Sequence, residues 1–228
     1  MESKLRLSAR VLREAALELA KRDSDIKSIV DALGPPAPWR RPPGFASLVY
    51  IIFEQQVSLA SAKATFDKVS AQLSAKPSRQ LSPQPSPESQ GFTATAYLEL
   101  SDQALRSAGV SRQKMRYTRL VAQAIEAGDL PIQRLNRYSD QRVRELLTRI
   151  VGIGDWTADV YLISALRRTD LWPVGDLALV KSIQNVKGLS ERPNRDWLDE
   201  LGESYRPFRS VAARIYWDHY LSRGGFPG

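Results

Sequence analysis

Apolar residues recur at intervals of three and four along most of the chain, the spacing that lines one face of an α-helix. In the first third, such stripes predict helices around residues 12–20, 26–33, 45–53 and 59–73. The second of these ends at a Gly-Pro-Pro sequence, and the last two are separated by the polar residues EQQ. The pattern therefore indicates a chain that begins as a series of amphipathic helices.

The same pattern continues in the second half of the chain. The segments SDQALRSAG and SRQKMRYTRLVAQAIEAG predict a short helix ending at Gly109 and a longer one from a serine cap to Gly128. Further helices are predicted from Leu177, around residues 193–201 and around residues 211–216. Because no useful run alternates with a period of two, the predicted fold class is all-α.

Residues 76–91, KPSRQLSPQPSPESQG, interrupt this pattern. The segment is rich in proline, serine and glutamine and has almost no apolar side chains, a composition that does not support a packed core. Apolar helices are predicted on both sides, which favours a flexible surface loop over a linker between domains.

The stretch LLTRIVGIGDWTADVYL places Gly152 and Gly154 between two apolar stripes. The first stripe contains Val143, Leu146, Leu147 and Ile150, and the second contains Trp156, Val160, Ile163 and Leu166. Glycines at such a turn supply a positive φ or a close backbone approach. The backbone N–H groups at the start of the following helix suit a phosphate. An ordinary helix-helix turn is the more common explanation of a bare GxG, but the whole string favours a helix-hairpin-helix that binds DNA.

Composition limits the chemistry. The 228 residues include 33 lysines and arginines against 25 aspartates and glutamates, a net charge of +8 that favours a polyanionic partner such as nucleic acid or an anionic membrane surface. The chain has no cysteine, which excludes disulfides, thiolate metal sites and an Fe–S cluster, and His219 is its single histidine. Charges throughout the N-terminal segment argue against a signal peptide or a membrane span, so we expect an intracellular protein.

Four segments, in this order, resemble the helix-hairpin-helix DNA glycosylase superfamily, and within it the alkylation-repair branch of the 3-methyladenine DNA glycosylase II type. They are IIFEQQVSLASAKA, AGVSRQKMRY, VGIGDWTA and WPVGDLALVKSI, with PFRSVAARIYW as a weaker fifth. The resemblance implies two helical subdomains flanking a DNA-binding cleft. Residues 1–44 and 177–228 would form one, and residues 45–176, with the helix-hairpin-helix at about 143–167, the other.

The resemblance assigns the catalytic role to Asp176, at the end of WPVGD. Aspartate there also suits a helix cap for the segment from Leu177, and the two roles are compatible. Cleavage of an N-glycosidic bond builds positive charge on the sugar, which a nearby carboxylate stabilises. Alkylated purines are already good leaving groups, so a site without histidine is chemically sufficient.

The resemblance also implies the DNA contacts. The damaged base must leave the duplex, and Gln56 matches the position of the side chain that is inserted in its place, although a surface polar role explains it equally well. The base pocket would include Trp156 and Trp217, which match pocket-lining positions of the family, and Val160, which replaces an aromatic residue of a bacterial relative. By base rate the two tryptophans are more often core residues. The phosphate contacts would be the amides of Gly152, Ile153 and Gly154 together with Thr157, Lys114, Lys181 and Arg209, although such cations are often merely solvated. Relatives hold a monovalent cation on the hairpin carbonyls, here near Val151 and Ile153.

Two positions depart from relatives. Bifunctional members of the superfamily carry a lysine just after the hairpin that attacks the sugar and leads to strand cleavage. Trp156 occupies that position, so we predict base excision without strand cleavage. The residue before the catalytic aspartate is often acidic in the alkylation branch, whereas this chain has Gly175.

The sequence therefore predicts a monofunctional glycosylase that excises alkylated bases such as 3-methyladenine and 7-methylguanine from double-stranded DNA. No cofactor beyond the hairpin cation is expected. Nothing argues for an oligomer, so a monomer is expected, in the cytoplasm or nucleoid if the source is bacterial. Two alternatives remain: a non-catalytic DNA-binding or lesion-sensing protein on the same scaffold, and a basic helical protein that binds membranes or RNA.

Overall fold

A computed structural model describes residues 6–39, 41–74 and 91–224. These residues form twelve α-helices and one 3₁₀ helix (Ile132–Arg137). The α-helices are α1 (Ala9–Arg22), α2 (Ser24–Leu33), α3 (Phe45–Glu54), α4 (Leu59–Ser74), α5 (Ala94–Leu98), α6 (Asp102–Ser107), α7 (Arg112–Glu126), α8 (Asp140–Thr148), α9 (Asp155–Ser164), α10 (Leu177–Val186), α11 (Arg195–Ser204) and α12 (Arg209–Ser222). Apart from one isolated bridge between Arg6 and Arg168, β-structure is absent from these residues. The predicted all-α class is confirmed.

Every helix predicted from apolar spacing is present. Helix α5 and the 3₁₀ helix were not predicted, because they are too short to show a helical period; the equally short α6 was predicted from its serine cap and terminal glycine. Polar caps define many of the starts: Ser111 accepts from the Lys114 amide at α7, and Ser139 accepts from the Arg142 amide at α8. The predicted loop at 76–91 lies outside the described residues except for Gly91. None of the helices in the described ranges combines the length and apolarity that crossing a membrane requires.

The chain divides into two compact units. Met1–Arg40 and Leu162–Gly228 form the terminal unit, and Arg41–Tyr161 forms the central unit. The prediction placed the second boundary after residue 176, whereas residues 162–176 pack with the terminal unit. The physical reason is the apolar content of that segment: the Trp172 ring contacts the rings of Tyr205 and Tyr216.

The terminal unit is a bundle in which α12 contacts α1, α2 and α10. Its core includes Leu19, Ile26, Ile183, Val211 and Tyr216, each 2% exposed or less. This bundle fixes the positions of α10 and α12. The predicted site residue Asp176 directly precedes α10, and Trp217 lies on α12.

The central unit is built around α3, which packs against α4 and α7. Every residue of α3 except Tyr50 is buried, as its almost continuously apolar sequence FASLVYIIF predicts. Helix α5 packs on α7, and aromatic rings of Phe45, Phe66, Phe92 and Tyr97 fill the space near the start of α3. Because α3 is buried, its C-terminal end is held in place, and so is the start of the turn that follows at Gln55 and Gln56.

A polar network lies inside the terminal unit. Asp23 caps α2 and accepts hydrogen bonds from the Tyr205 hydroxyl at 2.7 Å and the Lys187 ammonium at 2.8 Å. Burial would raise the pKa of Asp23, but hydrogen bonds from Lys187, Tyr205 and two backbone amides outweigh it and lower the pKa. For Lys187 burial acts in the opposite direction and would lower the pKa, but the hydrogen bonds to Asp23 and Asp25 raise it. The network therefore favours the charged form of both partners.

Replacing Asp23 with asparagine keeps the cap and removes one of the two carboxylates that bind Lys187, the other being Asp25. We expect the free energy of unfolding at neutral pH to fall by about 1–3 kcal/mol, because a half-buried ammonium loses one of its two charged acceptors. Since the pKa of Asp23 is lowered on folding, its contribution is present above the ordinary value of 3.8 and is lost as the pH falls below it. Urea denaturation of both proteins should show the difference shrinking in acid.

The matched control is Asp31→Asn in the same helix. Asp31 forms an ion pair with Lys27, but the two side chains are 62% and 60% exposed, respectively. We therefore expect the free energy of unfolding to change by less than about 0.5 kcal/mol. Equal losses for the two variants would contradict the role assigned to the buried network.

Candidate nucleic-acid interface and active site

The turn between α8 and α9 requires a glycine at one of its two glycine positions. Gly152 has a φ of +93°, and a Cβ added there would lie 2.0 Å from Cγ of the Tyr117 ring. Gly154 has no positive φ, and no heavy atom in the described parts of the chain lies within 4 Å of a Cβ added there. The fold therefore requires glycine at position 152 but not at position 154.

The three predicted hairpin amides are not equivalent. The Ile153 amide donates to the Ile150 carbonyl at 3.0 Å, and the Ile153 side chain is 4% exposed. In this conformation the turn itself uses the donor, so a phosphate would have to compete with the Ile150 carbonyl, and the phosphate contact of this amide stays a prediction. Gly154 precedes the first residue of α9, where backbone N–H groups have no intrahelical acceptor. The start of α9 thus remains the part of the hairpin suited to an anion.

Gln55 holds the hairpin from the neighbouring turn. Its Nε2 atom donates to the carbonyl of Gly152 and to Oγ1 of Thr157, both at 3.0 Å. Thr157 is only 1% exposed and its Oγ1 accepts this internal bond, so the predicted phosphate contact would require its hydroxyl to become accessible and stays a prediction. Sequence reasoning assigned no role to Gln55; the one available signal was a second glutamine beside Gln56.

Gln56 follows directly and is exposed. Its φ of +56° lies in the left-handed region, which is uncommon for a residue with a side chain. The residue thus stands at a tight reversal between α3 and α4, with its side chain outside the core. This geometry is compatible with the predicted insertion into DNA.

The predicted phosphate-binding cations Lys114 and Arg209 contact other groups of the protein. Lys114 donates from Nζ to the Phe53 carbonyl at 2.7 Å, and burial lowers its pKa. Arg209 donates from Nε to Oδ1 of Asp170 at 2.9 Å and from Nη2 to Oδ2 at 3.1 Å. Each donor group already serves the fold, so a phosphate would have to share these cations with their internal partners, and the phosphate role of both residues stays a prediction. Lys181 lies on α10 with intermediate exposure.

Asp176 is the N-cap of α10. Its Oδ1 atom accepts from the Leu179 amide at 2.7 Å and from Nε1 of Trp217 at 2.9 Å. The residue is 9% exposed. The cap role expected from sequence is confirmed, and the indole bond adds a second constraint, so the carboxylate has one defined orientation at the start of a helix.

The predicted base-pocket residues fall in two places. Trp217 lies beside Asp176, and its ring centroid is 5.4 Å from that of Trp39. Arg214 in turn lies over the Trp39 ring at 4.3 Å. Trp156 and Val160 lie on α9 in the central unit, the former half-buried and the latter 8% exposed. Sequence reasoning missed Trp39, because its PPAPWRRPPG context indicated only an extended connection.

Within the described ranges, no group of three or more acidic or histidine side chains could hold a metal ion. The hairpin offers backbone oxygens instead, and no hydrogen bond of the described residues ends on the carbonyls of Val151 or Ile153. The residues predicted to hold a monovalent cation thus have unused carbonyl oxygens.

Comparison with known families decides the identity of this architecture. Residues 49–207 match the model of the HhH-GPD superfamily base excision DNA repair protein. This span covers well over half of the chain, including the hairpin, Gln55 and Asp176. The chain belongs to the HhH-GPD superfamily. The resemblance recognised in the sequence is confirmed.

Individual members of the HhH-GPD superfamily are similar over most of the chain. The alkylbase DNA glycosidase-like protein mag2 of Schizosaccharomyces pombe is 25% identical over 211 residues, which cover 90% of this chain and 92% of that protein. DNA-3-methyladenine glycosylase 1 of the same organism is 27% identical over 210 residues, covering 90% and 86%.

Solved structures from the superfamily share the fold. The 3-methyladenine DNA glycosylase Mag1 of S. pombe, in complex with abasic DNA, matches with a TM-score of 0.80 at 24% identity, covering 91% of this chain and 97% of that one. The DNA-3-methyladenine glycosidase of Bacillus halodurans matches with a TM-score of 0.70 at 29% identity, covering 92% and 90%.

Replacing each hairpin glycine in turn with serine measures how strongly the fold requires glycine at that position. We expect Gly152→Ser to lower the free energy of unfolding by more than about 1 kcal/mol, because serine meets both the positive φ and the Tyr117 ring. Gly154→Ser should change it by less than about 0.5 kcal/mol, since the site is open and serine is a good helix cap. Chemical denaturation of both variants checks this, and equal losses would contradict the geometry of the turn.

Proposed function

We propose that this member of the superfamily is a DNA glycosylase that hydrolyses the N-glycosidic bond of alkylated bases, of the 3-methyladenine and 7-methylguanine class, in double-stranded DNA. The observation that carries the proposal is the carboxylate of Asp176, oriented by the Leu179 amide and the Trp217 indole. The similarity to two named alkylbase-type proteins over 90% of the chain supports the same class of substrate.

The chemistry asked of Asp176 is modest. As the alkylated base departs, positive charge develops on the deoxyribose, and a carboxylate held close to it lowers the energy of that state. The carboxylate would also orient the attacking water. Because both observed donors bond to Oδ1, the side chain is held in place before substrate arrives, and little reorganisation is needed during the reaction.

DNA binding in this proposal belongs to the hairpin and the turn before α4. The start of α9 would bind a phosphate through backbone N–H groups and the positive end of the helix dipole. A glycine at position 154, which the fold does not require, leaves room for a phosphate to approach the backbone. Gln56 would fill the space left by the extruded base.

The carbonyls of Val151 and Ile153 would hold a monovalent cation that neutralises part of the same phosphate charge. We also propose that the protein acts on DNA inside the cell as a monomer. Because its net charge is +8, its affinity for duplex DNA would fall with rising salt.

The Asp176→Asn variant tests the catalytic assignment. Asparagine caps helices as well as aspartate does and can accept the same two bonds, so the fold should persist. We expect release of methylated base from alkylated duplex DNA to fall about 100-fold or more, because the charge that stabilises the sugar cation is gone. Free base is measured by chromatography, and duplex affinity by a gel-shift titration.

The control is Asp199→Asn, which removes a charge from a 53% exposed side chain on α11. It should retain base release. If Asp176→Asn were as active as this control, Asp176 would have no catalytic role; if the wild-type protein bound damaged DNA without releasing base, a lesion-sensing function would replace the proposal.

We further propose that excision leaves the DNA strand intact, because Trp156 stands where bifunctional relatives have the attacking lysine. After incubation with alkylated duplex, strand breaks should appear only when alkali is added, and borohydride should trap no covalent protein-DNA adduct. A trapped adduct would show that another amine of this chain attacks the sugar.

A further inference from the structure

The turn between α3 and α4 is attached to the rest of the central unit at three consecutive residues. The Phe53 carbonyl accepts from Lys114 Nζ at 2.7 Å. Glu54, whose side chain is 6% exposed, forms a two-bond ion pair with the guanidinium of Arg41. Gln55 then reaches the hairpin. Three different partners thus fix the end of one buried helix.

The Gln55 contact differs from the other two because it joins two predicted DNA-binding elements. A glutamine amide nitrogen carries two N–H donors, and here it has two acceptors, the Gly152 carbonyl and Thr157 Oγ1, each at 3.0 Å. The first acceptor lies in the hairpin turn, and the second lies in the first turn of α9. The side chain therefore fixes both the turn and the helix that it starts.

The next residue in the chain is Gln56. Its left-handed backbone, with a φ of +56°, carries a strain that persists only where neighbouring contacts enforce it. Gln55 has a φ of −58° and a ψ of 122°, so the chain leaves the helix at the same residue whose side chain is bonded to the hairpin. The position of the Gln56 backbone is thus tied to the hairpin by one side chain.

We propose that Gln55 is a positioning residue that couples the insertion of Gln56 into DNA with the binding of phosphate by the hairpin. The inference rests on the proposed function. When the start of α9 binds the backbone of a damaged strand, the Gln55 bonds hold Gln56 at the height of the base to be extruded. Without them, the two elements bind DNA independently, and base extrusion becomes less favourable.

Gln72 supplies a matched control for a merely structural role. It is also a half-buried glutamine of the central unit, and its Nε2 atom donates to the Ala104 carbonyl at 3.2 Å and lies 3.5 Å from Ser107 Oγ. These contacts join α4 to α6 and involve neither the hairpin nor Gln56. A Gln72→Ala variant therefore removes similar contacts from elsewhere in the same unit.

The experiment compares Gln55→Ala, Gln55→Met and Gln72→Ala with the wild-type protein. Methionine keeps the length of the side chain and has no donor, so it separates hydrogen bonding from packing. Base extrusion is followed by the fluorescence of 2-aminopurine placed beside the alkylated base, and excision by single-turnover release of that base. Affinity for undamaged duplex and stability towards urea are measured on the same samples.

Both Gln55 variants should lower the single-turnover rate and the extrusion equilibrium by about 10-fold or more, the effect expected from losing two hydrogen bonds. Affinity for undamaged duplex should stay within about 2-fold, since phosphate contacts supply most of that binding. Gln72→Ala should match the wild-type protein in extrusion and excision. Thr157→Val, which removes one of the two acceptors at constant shape, should give an intermediate loss.

Three results would overturn the inference. One is a Gln55→Met variant with wild-type extrusion and excision; another is an equal loss of excision in Gln72→Ala; the third is a loss of excision in the Gln55 variants that only parallels a loss of folded protein. Failure of the proposed function is distinct, because then the wild-type protein itself releases no alkylated base.

Discussion

The contact between the Gly152 backbone and the Tyr117 ring is the constraint on which the hairpin depends. A Cβ at this position would overlap the ring, so only glycine lets the turn lie flat against α7. The same residue adopts a φ of +93° and presents its carbonyl to Gln55. One close approach therefore sets the path of the turn, the start of α9 and the contact to the α3–α4 turn.

The catalytic role proposed for Asp176 uses the same bonds as its structural role. The Leu179 amide and the Trp217 indole begin α10 and join it to α12, and they also orient the carboxylate. The Trp39 ring, itself covered by Arg214, packs against Trp217. The catalytic assignment and the packing of the terminal unit are thus not independent.

The positive charge of the chain is a poor guide to which side chains bind DNA. Arg209 is engaged by Asp170 and Glu203, Lys187 by Asp23 and Asp25, and Lys114 by a helix carbonyl. Each of these cations compensates buried or helix-terminal negative charge before any ligand is present. The net charge favours a polyanion as a whole, but individual cations identify an interface only after their internal partners are known.

The amino-acid sequence by itself determined the all-α class, the hairpin, the superfamily and every helix except α5 and the 3₁₀ helix, because apolar spacing, caps and glycines act over a few residues. Local chemistry also indicated Asp176 as a cap. What only the tertiary structure decided are the partners of residues far apart in sequence: Gln55 with Thr157, Trp39 with Trp217, and Arg209 with Asp170. It also moved the boundary of the terminal unit to Leu162. A side chain's donors and acceptors are the same in any sequence context, but which of them are already used depends on the neighbours that folding brings within about 3 Å.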